Sequence, residues 1–374
     1  MEKVKVISSD SHVVEPPELW VDRMDKAKFG DRIPHLITLD NNEDWWLSDH
    51  KQTGPVGAVT QAGLRFERPE DIVREGSFAD VLPGAYIPSE HVKDMDADGV
   101  YGGIVYPSIG LALYRDMEEQ VLTRAIFEAY NDWLADFCRP FPSRLKGIAM
   151  ILIDDDVPKA IAELKRTQDA GMVGAMISSH PRHDQTYENS MYEAFWKEAE
   201  ELRIPLSLHV TTNRPDAVPI RPDAQISDFG NFVQVDYWVR MSLTQIIFSG
   251  TLEKYPELII ANVEHELSWI PFFASRMDFA YKERQRSAPY RFKNNAMPSD
   301  FMRSNVYHSF QEDPVGIQLR DLIGVDRLMW GSDYPHAEST FPKSLEILDE
   351  ILEGVPSDEK ALIVGGNAER LYGF

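Results

Sequence analysis

The chain has 374 residues, of which 43% are hydrophobic and 26% charged, and its formal net charge at pH 7 is -23. This length suits one large α/β domain with insertions, or two domains, and the strong negative charge disfavours nucleic acid and anionic membranes as partners. The single cysteine cannot form an internal disulfide, which favours a reducing cytoplasm. The first apolar run is too short for a signal peptide, and no apolar stretch approaches the roughly 20 residues of a membrane span.

Eight short apolar runs, each followed by polar residues, predict eight strands. They cover residues 5–7, 102–106, 145–151, 173–177, 205–208, 258–263, 305–307 and 327–330. Amphipathic segments between them predict helices, among them one that begins at Asp156 and one that begins at Asp313. Eight alternating units predict a parallel sheet closed into a (β/α)8 TIM barrel. An open doubly wound sheet is disfavoured because no Gly-x-Gly-x-x-Gly follows the first strand.

The segment from 13 to about 87 breaks this alternation and contains Pro16-Pro17 and Trp45-Trp46. It is interpreted as a long insertion after the first strand, over the mouth of one barrel domain that spans residues 1–374. Long loops at that face usually carry function. A structural cover that packs the tryptophans is the alternative interpretation.

Six of the ten histidines fall at, or just after, the C-terminal ends of the predicted strands. In a barrel these ends converge on one mouth, where active sites form. The six are His12, His180, His209, His265, His308 and His336.

Four residues at this mouth are predicted to hold one divalent metal ion: Asp10, His12, His209 and Asp333. Asp10 and His12 are two residues apart, so both side chains can face the same side of a strand. Two imidazoles and two carboxylates suit Zn2+, which is favoured, or Mn2+. The structural alternatives are local hydrogen bonding by Asp10 and His12, a satisfied core histidine at 209, and a helix cap or Asx turn at Asp333.

The motifs around these residues resemble the amidohydrolase-related superfamily (amidohydrolase 2). They are Ser9-Asp10-Ser11-His12, Ser207-Leu208-His209, Trp330 to His336 and the C-terminal run from Gly365 to Gly373. The branch they resemble contains aminocarboxymuconate-semialdehyde decarboxylase and γ-resorcylate decarboxylase. The resemblance covers most of the chain outside roughly 13 to 87.

The resemblance implies roles for individual residues. Asp10, His12, His209 and Asp333 match metal ligands, and Asp333 also matches the proton donor of decarboxylating members. The family usually has a catalytic histidine at the end of the sixth strand, where this chain has Glu264 followed by His265. Either residue is a candidate for that catalytic role.

Further residues are candidates for contact with a substrate. His180, His308 and His336 fall at the predicted mouth, and His336 is also a candidate to orient Asp333. Arg240, like Arg214 and Arg276, offers a two-pronged donor for a substrate carboxylate, and the sequence does not choose among the three.

The function expected from these residues is non-oxidative decarboxylation of a small aromatic or unsaturated carboxylic acid. The alternative is a hydrolase or hydratase that activates water for attack on an amide, a lactone or a C–C bond next to a carbonyl. The expected partner is a small-molecule substrate, in a cytoplasmic homo-oligomer that the resemblance implies to be a dimer. A non-catalytic barrel is the third alternative, which the complete ligand set disfavours.

Overall fold

A computed structural model describes residues 4–59, 61–73, 76–215, 233–284, 286–287 and 290–374. Within these ranges eight parallel strands form one sheet in the order β1-β5-β6-β7-β8-β9-β10-β11. Their bounds are β1 Ile7–Val13, β5 Gly102–Pro107, β6 Leu145–Met150, β7 Gly174–Ile177, β8 Leu206–His209, β9 Ile260–Val263, β10 Val306–Phe310 and β11 Leu328–Trp330. The predicted (β/α)8 barrel is confirmed.

Backbone hydrogen bonds join the first and last strands at the rim that their C-terminal ends share. The backbone N–H of Asp333 donates to the carbonyl of Asp10 at 2.9 Å, and the N–H of His12 donates to the carbonyl of Tyr334 at 2.6 Å. These contacts bring the end of β11 against β1 and nearly close the barrel. They also join two of the segments that carry predicted ligands.

Strand β1 is longer than the prediction of residues 5–7, because polar residues continue it to Val13. All seven of its residues are buried. Its register against β5 shifts between Ser8 and Ser11, and a shift of this kind is one way in which a strand re-aims side chains beside an active site. The predicted strand is too short because its polar residues were expected to lie outside the sheet. In the structure, serine hydroxyls bond to one another inside the barrel, as between Ser9 and Ser309 at 2.7 Å.

The helices pack around the sheet, and apolar side chains of both fill the core. Asp156 and Asp313 begin helices as predicted, since their carboxylates accept from the backbone N–H groups of Lys159 and Gly316. The α-helices of the described residues are α1 Leu19–Arg23, α2 Lys26–Phe29, α3 Leu64–Glu67, α4 Pro88–Ala97, α5 Ile109–Asp116, α6 Gln120–Cys138, α7 Val157–Asp169, α8 Glu193–Leu202, α9 Tyr237–Phe248, α10 Thr251–Lys254, α11 Ile270–Glu283, α12 Pro298–Asn305, α13 Pro314–Gln318, α14 Arg320–Ile323, α15 Ser344–Ile351, α16 Ser357–Ala361 and α17 Asn367–Tyr372.

The segment between β1 and α4 forms a small antiparallel sheet of β2 (His35–Thr38), β3 (Asp44–Ser48) and β4 (Lys51–Pro55), with short helices around it. Trp20 and Trp46 are buried with their rings edge to face, 5.2 Å apart. Arg65 of this segment forms an ion pair with Glu312, which follows β10. The segment therefore reaches a loop at the C-terminal rim of the barrel.

Of the helices in the described ranges, none combines the length and the apolar character that a membrane crossing requires. Cys138 is a buried free thiol at the end of α6.

Candidate metal centre

The four predicted ligands come together at the C-terminal rim of the barrel. Asp10 and His12 lie in β1, His209 is the last residue of β8, and Asp333 follows β11. Nε2 of His12 lies 3.3 Å from Oδ1 of Asp10 and 3.2 Å from Oδ1 of Asp333. Nε2 of His209 lies 3.4 Å from the same Oδ1 of Asp10. Ligand atoms of Asp10, His12 and His209, with one of Glu264, lie within 4.8 Å of one another, and those of His12, Asp333 and His336 form a second such group that shares His12.

The two imidazoles are oriented by backbone carbonyls. Nδ1 of His12 lies 2.7 Å from the carbonyl oxygen of Pro107, and Nδ1 of His209 lies 3.1 Å from that of Val210. A carbonyl that binds Nδ1 fixes the ring and leaves Nε2 to face the centre of the site, as is usual for metal-binding histidines.

The centre is buried and lacks an internal hydrogen-bond partner for its most enclosed nitrogen. His12 is fully buried, and its Nε2 makes no hydrogen bond to any residue that the structure describes. A buried imidazole nitrogen that faces carboxylates at 3.2 and 3.3 Å without hydrogen-bond geometry fits a divalent cation between them.

The electrostatics agree with this fit. Burial by itself raises the pKa of Asp10, but His209 and His12 outweigh it and hold that pKa well below its usual range. Burial likewise opposes the lowering of the Asp333 pKa by His336 and His12. Burial lowers the pKa of His12, yet Asp10 and Asp333 raise it well above the ordinary value. Both carboxylates are thus held ionised, as metal ligands must be.

The backbone at Asp333 has a left-handed conformation, with φ of 58°. Only a few per cent of non-glycine residues adopt it, and such residues cluster at functional sites. Gly331, two residues earlier, makes the approach to β1 close, since a Cβ there would lie 2.6 Å from Cβ of Asp10. The glycine therefore allows the end of β11 to bring Asp333 against β1.

The end of β9 carries the two residues between which the sequence left the catalytic role open. Glu264 follows the strand directly, has φ of 60°, and places Oε2 3.5 Å from Nε2 of His209. Burial and the carboxylates of Asp333 and Asp10 raise the pKa of Glu264 well above its ordinary value. A divalent cation among these carboxylates would reverse that effect.

His265 is buried, and neither of its ring nitrogens bonds to any described residue. Burial and the neighbouring His209 lower the pKa of His265 to about 3, so the ring is neutral at neutral pH. A buried neutral imidazole with both nitrogens unpaired is suited to contact with a bound molecule.

His336 contacts Asp333 and Ser108. Its Nδ1 lies 2.8 Å from Oδ1 of Asp333, and its Nε2 lies 2.8 Å from the hydroxyl of Ser108. Its ring centroid is 4.0 Å from that of His12. Ser108 is not among the residues predicted from the sequence, although it lies directly after β5, the same kind of position that indicated the histidines.

The remaining candidates have partners of their own. Nδ1 of His308 lies 3.0 Å from the amide nitrogen of Asn262, and Nε2 of His180 lies 3.2 Å from that of Gln245. Arg240 pairs with Asp236 on α9 at 2.9 Å. Of the other two arginines, Arg276 is exposed, while Arg214 is buried against Asp154 at 2.8 Å.

A (β/α)8 barrel that gathers imidazoles and carboxylates at the C-terminal ends of its strands defines the class of metal-dependent barrel enzymes. Residues 87–374 match the amidohydrolase family. The chain belongs to this family and is a metal-dependent carboxy-lyase or hydrolase.

Three known proteins illustrate the similarity. The γ-resorcylate decarboxylase of Polaromonas sp. strain JS666 is 23% identical over 305 residues, which cover 76% of this chain and 87% of the relative. An amidohydrolase structure from Mycobacterium avium subsp. paratuberculosis K-10 superposes with a TM-score of 0.77 and 20% identity over 100% of both chains. A dihydroxybenzoic acid decarboxylase structure from Polaromonas sp. JS666, with bound manganese and the inhibitor 2-nitroresorcinol, has a TM-score of 0.66 and 19% identity, covering 99% of this chain and 97% of that one.

Proposed function

We propose that this protein is a non-oxidative decarboxylase of small aromatic carboxylic acids of the dihydroxybenzoate class. The observation that carries the proposal is the buried arrangement of Asp10, His12, His209 and Asp333, with Nε2 of His12 unpaired between two carboxylates among the described residues. The γ-resorcylate decarboxylase and the manganese-containing decarboxylase support the reaction class.

These four side chains would hold one divalent cation. Their nitrogen and oxygen atoms suit both Zn2+, which the sequence favours, and Mn2+. The manganese in the similar decarboxylase supports Mn2+. When bound, the cation supplies charge stabilisation and a template for the substrate's carboxylate and an adjacent oxygen.

Asp333 would deliver a proton to the ring carbon. The bond between that carbon and the carboxylate breaks, CO2 leaves, and the electron pair remains on the carbon, where it takes the proton. Burial opposes but His336 and His12 maintain a lowered pKa of Asp333, so its carboxylate is ionised at rest and must take up a proton before it can act as a strong acid. A strong acid suits protonation of a weakly basic carbon.

His336, whose side chain is 15% exposed, would take up a proton from solvent and pass it to Asp333 after each turnover. Its contacts with Asp333 and with Ser108 form a short path of polar atoms beside the donor. The unpaired nitrogens of His265 would contact the substrate, and His180, His308 and Arg240 remain candidates for substrate binding.

Hydrolysis or hydration at the same site is the second candidate function. The buried, neutral His265 favours it, because an imidazole with a free nitrogen can accept a proton from water. Hydrolysis would consume water without release of CO2.

The two functions separate in one experiment. The protein is loaded with Mn2+ and incubated with 2,6-dihydroxybenzoate and a panel of hydroxybenzoates, and released CO2 is measured beside hydrolysis of model amides and lactones. We expect CO2 from at least one hydroxybenzoate. Hydrolysis without CO2 would overturn the decarboxylase proposal and support the second function. The dimeric state and cytoplasmic location expected from the sequence stay predictions.

A further inference from the structure

We propose that Glu264 is an additional ligand to the cation, and the one ligand that a substrate's oxygen displaces. This inference rests on the proposed function, because it requires a cation among Asp10, His12 and His209. It assigns Glu264 to the metal, whereas the sequence left it as a candidate acid or base.

The distances permit the assignment. Ligand atoms of Asp10, His12, His209 and Glu264 all lie within 4.8 Å of one another. Oxygen and nitrogen ligands lie about 2.0 to 2.2 Å from a cation of this kind, so opposite ligands are roughly 4 Å apart. The unpaired Nε2 of the fully buried His12 is a separate indication that a ligand belongs at this point.

The backbone turns Glu264 toward the cluster. Val263 of β9 pairs with His209 of β8 in the sheet, and Glu264 is the residue directly after Val263. Its φ of 60° is a left-handed conformation that a glutamate adopts rarely. Such a conformation at a site is kept when the side chain's position serves function.

Glu266, two residues later, provides a contrast. It also has a left-handed backbone, with φ of 54°. Its carboxylate faces the backbone N–H groups of Gln311 and Glu312, each at 3.4 Å. Glu266 therefore ties β9 to the loop after β10, whereas the carboxylate of Glu264 lies against His209.

Burial distinguishes Glu264 from the other ligands. The side chains of Asp10 and His209 are 4% and 0% exposed, and those of His12 and Asp333 are 0% and 3% exposed. The side chain of Glu264 is 25% exposed. Glu264 thus lies on the open side of the cluster, where a substrate enters.

Charge explains why Glu264 would leave. Three carboxylates and one divalent cation give the site a net charge of about -1, and a substrate carboxylate would add another negative charge. Because Glu264 already contacts solvent, its carboxylate can leave the cation without opening the buried part of the site. Glu264 is therefore the ligand that an incoming anion replaces most easily.

The test measures Mn2+ binding rather than activity. Free Mn2+ is followed by electron paramagnetic resonance during titration of the wild type, Glu264→Gln, Glu264→Ala and the matched control Glu266→Gln, with circular dichroism to verify folding. We expect at least about tenfold weaker Mn2+ binding in Glu264→Ala, a smaller loss in Glu264→Gln, and wild-type affinity in Glu266→Gln. Water proton relaxation by bound Mn2+ should rise in Glu264→Ala, because water fills the vacated position.

Displacement is tested with 2,6-dihydroxybenzoate as the probe. At saturating Mn2+, Glu264→Ala should bind the probe as tightly as the wild type or more tightly, since no carboxylate has to leave. Equal Mn2+ affinity and relaxation in the wild type and both Glu264 variants would overturn this inference alone. Absence of Mn2+ binding by the wild type would overturn the proposed function with it.

Discussion

The backbone N–H of Asp333 donates to the carbonyl oxygen of Asp10 at 2.9 Å, and this is one of the hydrogen bonds that join the end of the last barrel strand to the first. It brings together two carboxylates that are 323 residues apart in the sequence (333 minus 10). The proposed metal centre therefore depends on closure of the barrel. Substitutions at the seam, the junction of β1 with the end of β11, should affect the site directly.

Asp333→Asn should abolish decarboxylation. An amide cannot donate the proton that the ring carbon needs and is a weaker ligand than a carboxylate, so we expect kcat to fall by at least about 100-fold. Asp326→Asn is the matched control, because Asp326 lies before β11 and pairs with Arg327 at 3.0 Å. Release of CO2 is the measurement, and wild-type kcat in Asp333→Asn would remove Asp333 from the mechanism.

His336→Asn should impair the supply of protons to Asp333 without weakening metal binding. His336 contacts Asp333 at 2.8 Å but stands outside the proposed ligands. We expect kcat to fall about 10- to 100-fold, while Mn2+ affinity stays within about threefold of the wild type. Ser108→Ala, which removes the hydroxyl 2.8 Å from Nε2 of His336, should have a smaller effect in the same direction. A loss of Mn2+ binding with unchanged kcat at saturating metal would indicate instead that His336 is a ligand.

Gly331→Ala should damage the seam. The new Cβ would lie 2.6 Å from Cβ of Asp10 and 3.1 Å from its backbone nitrogen, so the two strands must move apart. Overpacking of this kind costs about 1 to 3 kcal/mol of stability, and we expect weaker Mn2+ binding with it. Gly54→Ala is the control, because its Cβ would make only an ordinary contact with Ile109 at 3.4 Å. Thermal unfolding and Mn2+ titration of both variants check the prediction, and equal behaviour would show that the seam tolerates a side chain.

Ionisation of the buried Glu15 should lower the free energy of unfolding as pH rises through the weakly acidic range. Its buried carboxylate accepts from the N–H groups of Ile109 and Gly110 at the start of α5, and burial raises its pKa from 4.5 to about 7. Between these values the folded state holds more protons than the unfolded state, so stability is lost as pH rises toward 7. The full difference is about 3 kcal/mol.

Glu15→Gln cannot ionise and should lose that pH dependence. Urea unfolding of both proteins between pH 4.5 and 8 measures it. Relative to the wild type, the variant should gain stability with rising pH until about pH 7 and remain level above it. Parallel profiles would mean that Glu15 keeps an ordinary pKa in the folded protein.

The sequence predicts the barrel, and the placement of the four proposed ligands at one rim, because both depend on local patterns. Apolar runs identify strands, and the residue that follows a run lies at the rim that all parallel strands share. Asp10, His12, His209 and Asp333 could therefore be chosen without knowledge of their neighbours.

Other features depend on contacts between distant segments. The carbonyl of Pro107 orients His12 only because β1 pairs with β5. The contact between Ser108 and His336 joins residues that are 228 positions apart. The left-handed backbone of the loop after β9 turns Glu264 toward His209. The sequence shows only that Glu264 comes one residue before His265, and this spacing does not reveal the backbone conformation.

The most direct test of the metal centre is a crystal of the protein grown with MnCl2 and measured at the manganese absorption edge. We expect one strong anomalous peak within ligand distance of Asp10, His12, His209 and Asp333. Manganese bound only at surface carboxylates, with no peak between Nε2 of His12 and Oδ1 of Asp10, would contradict it.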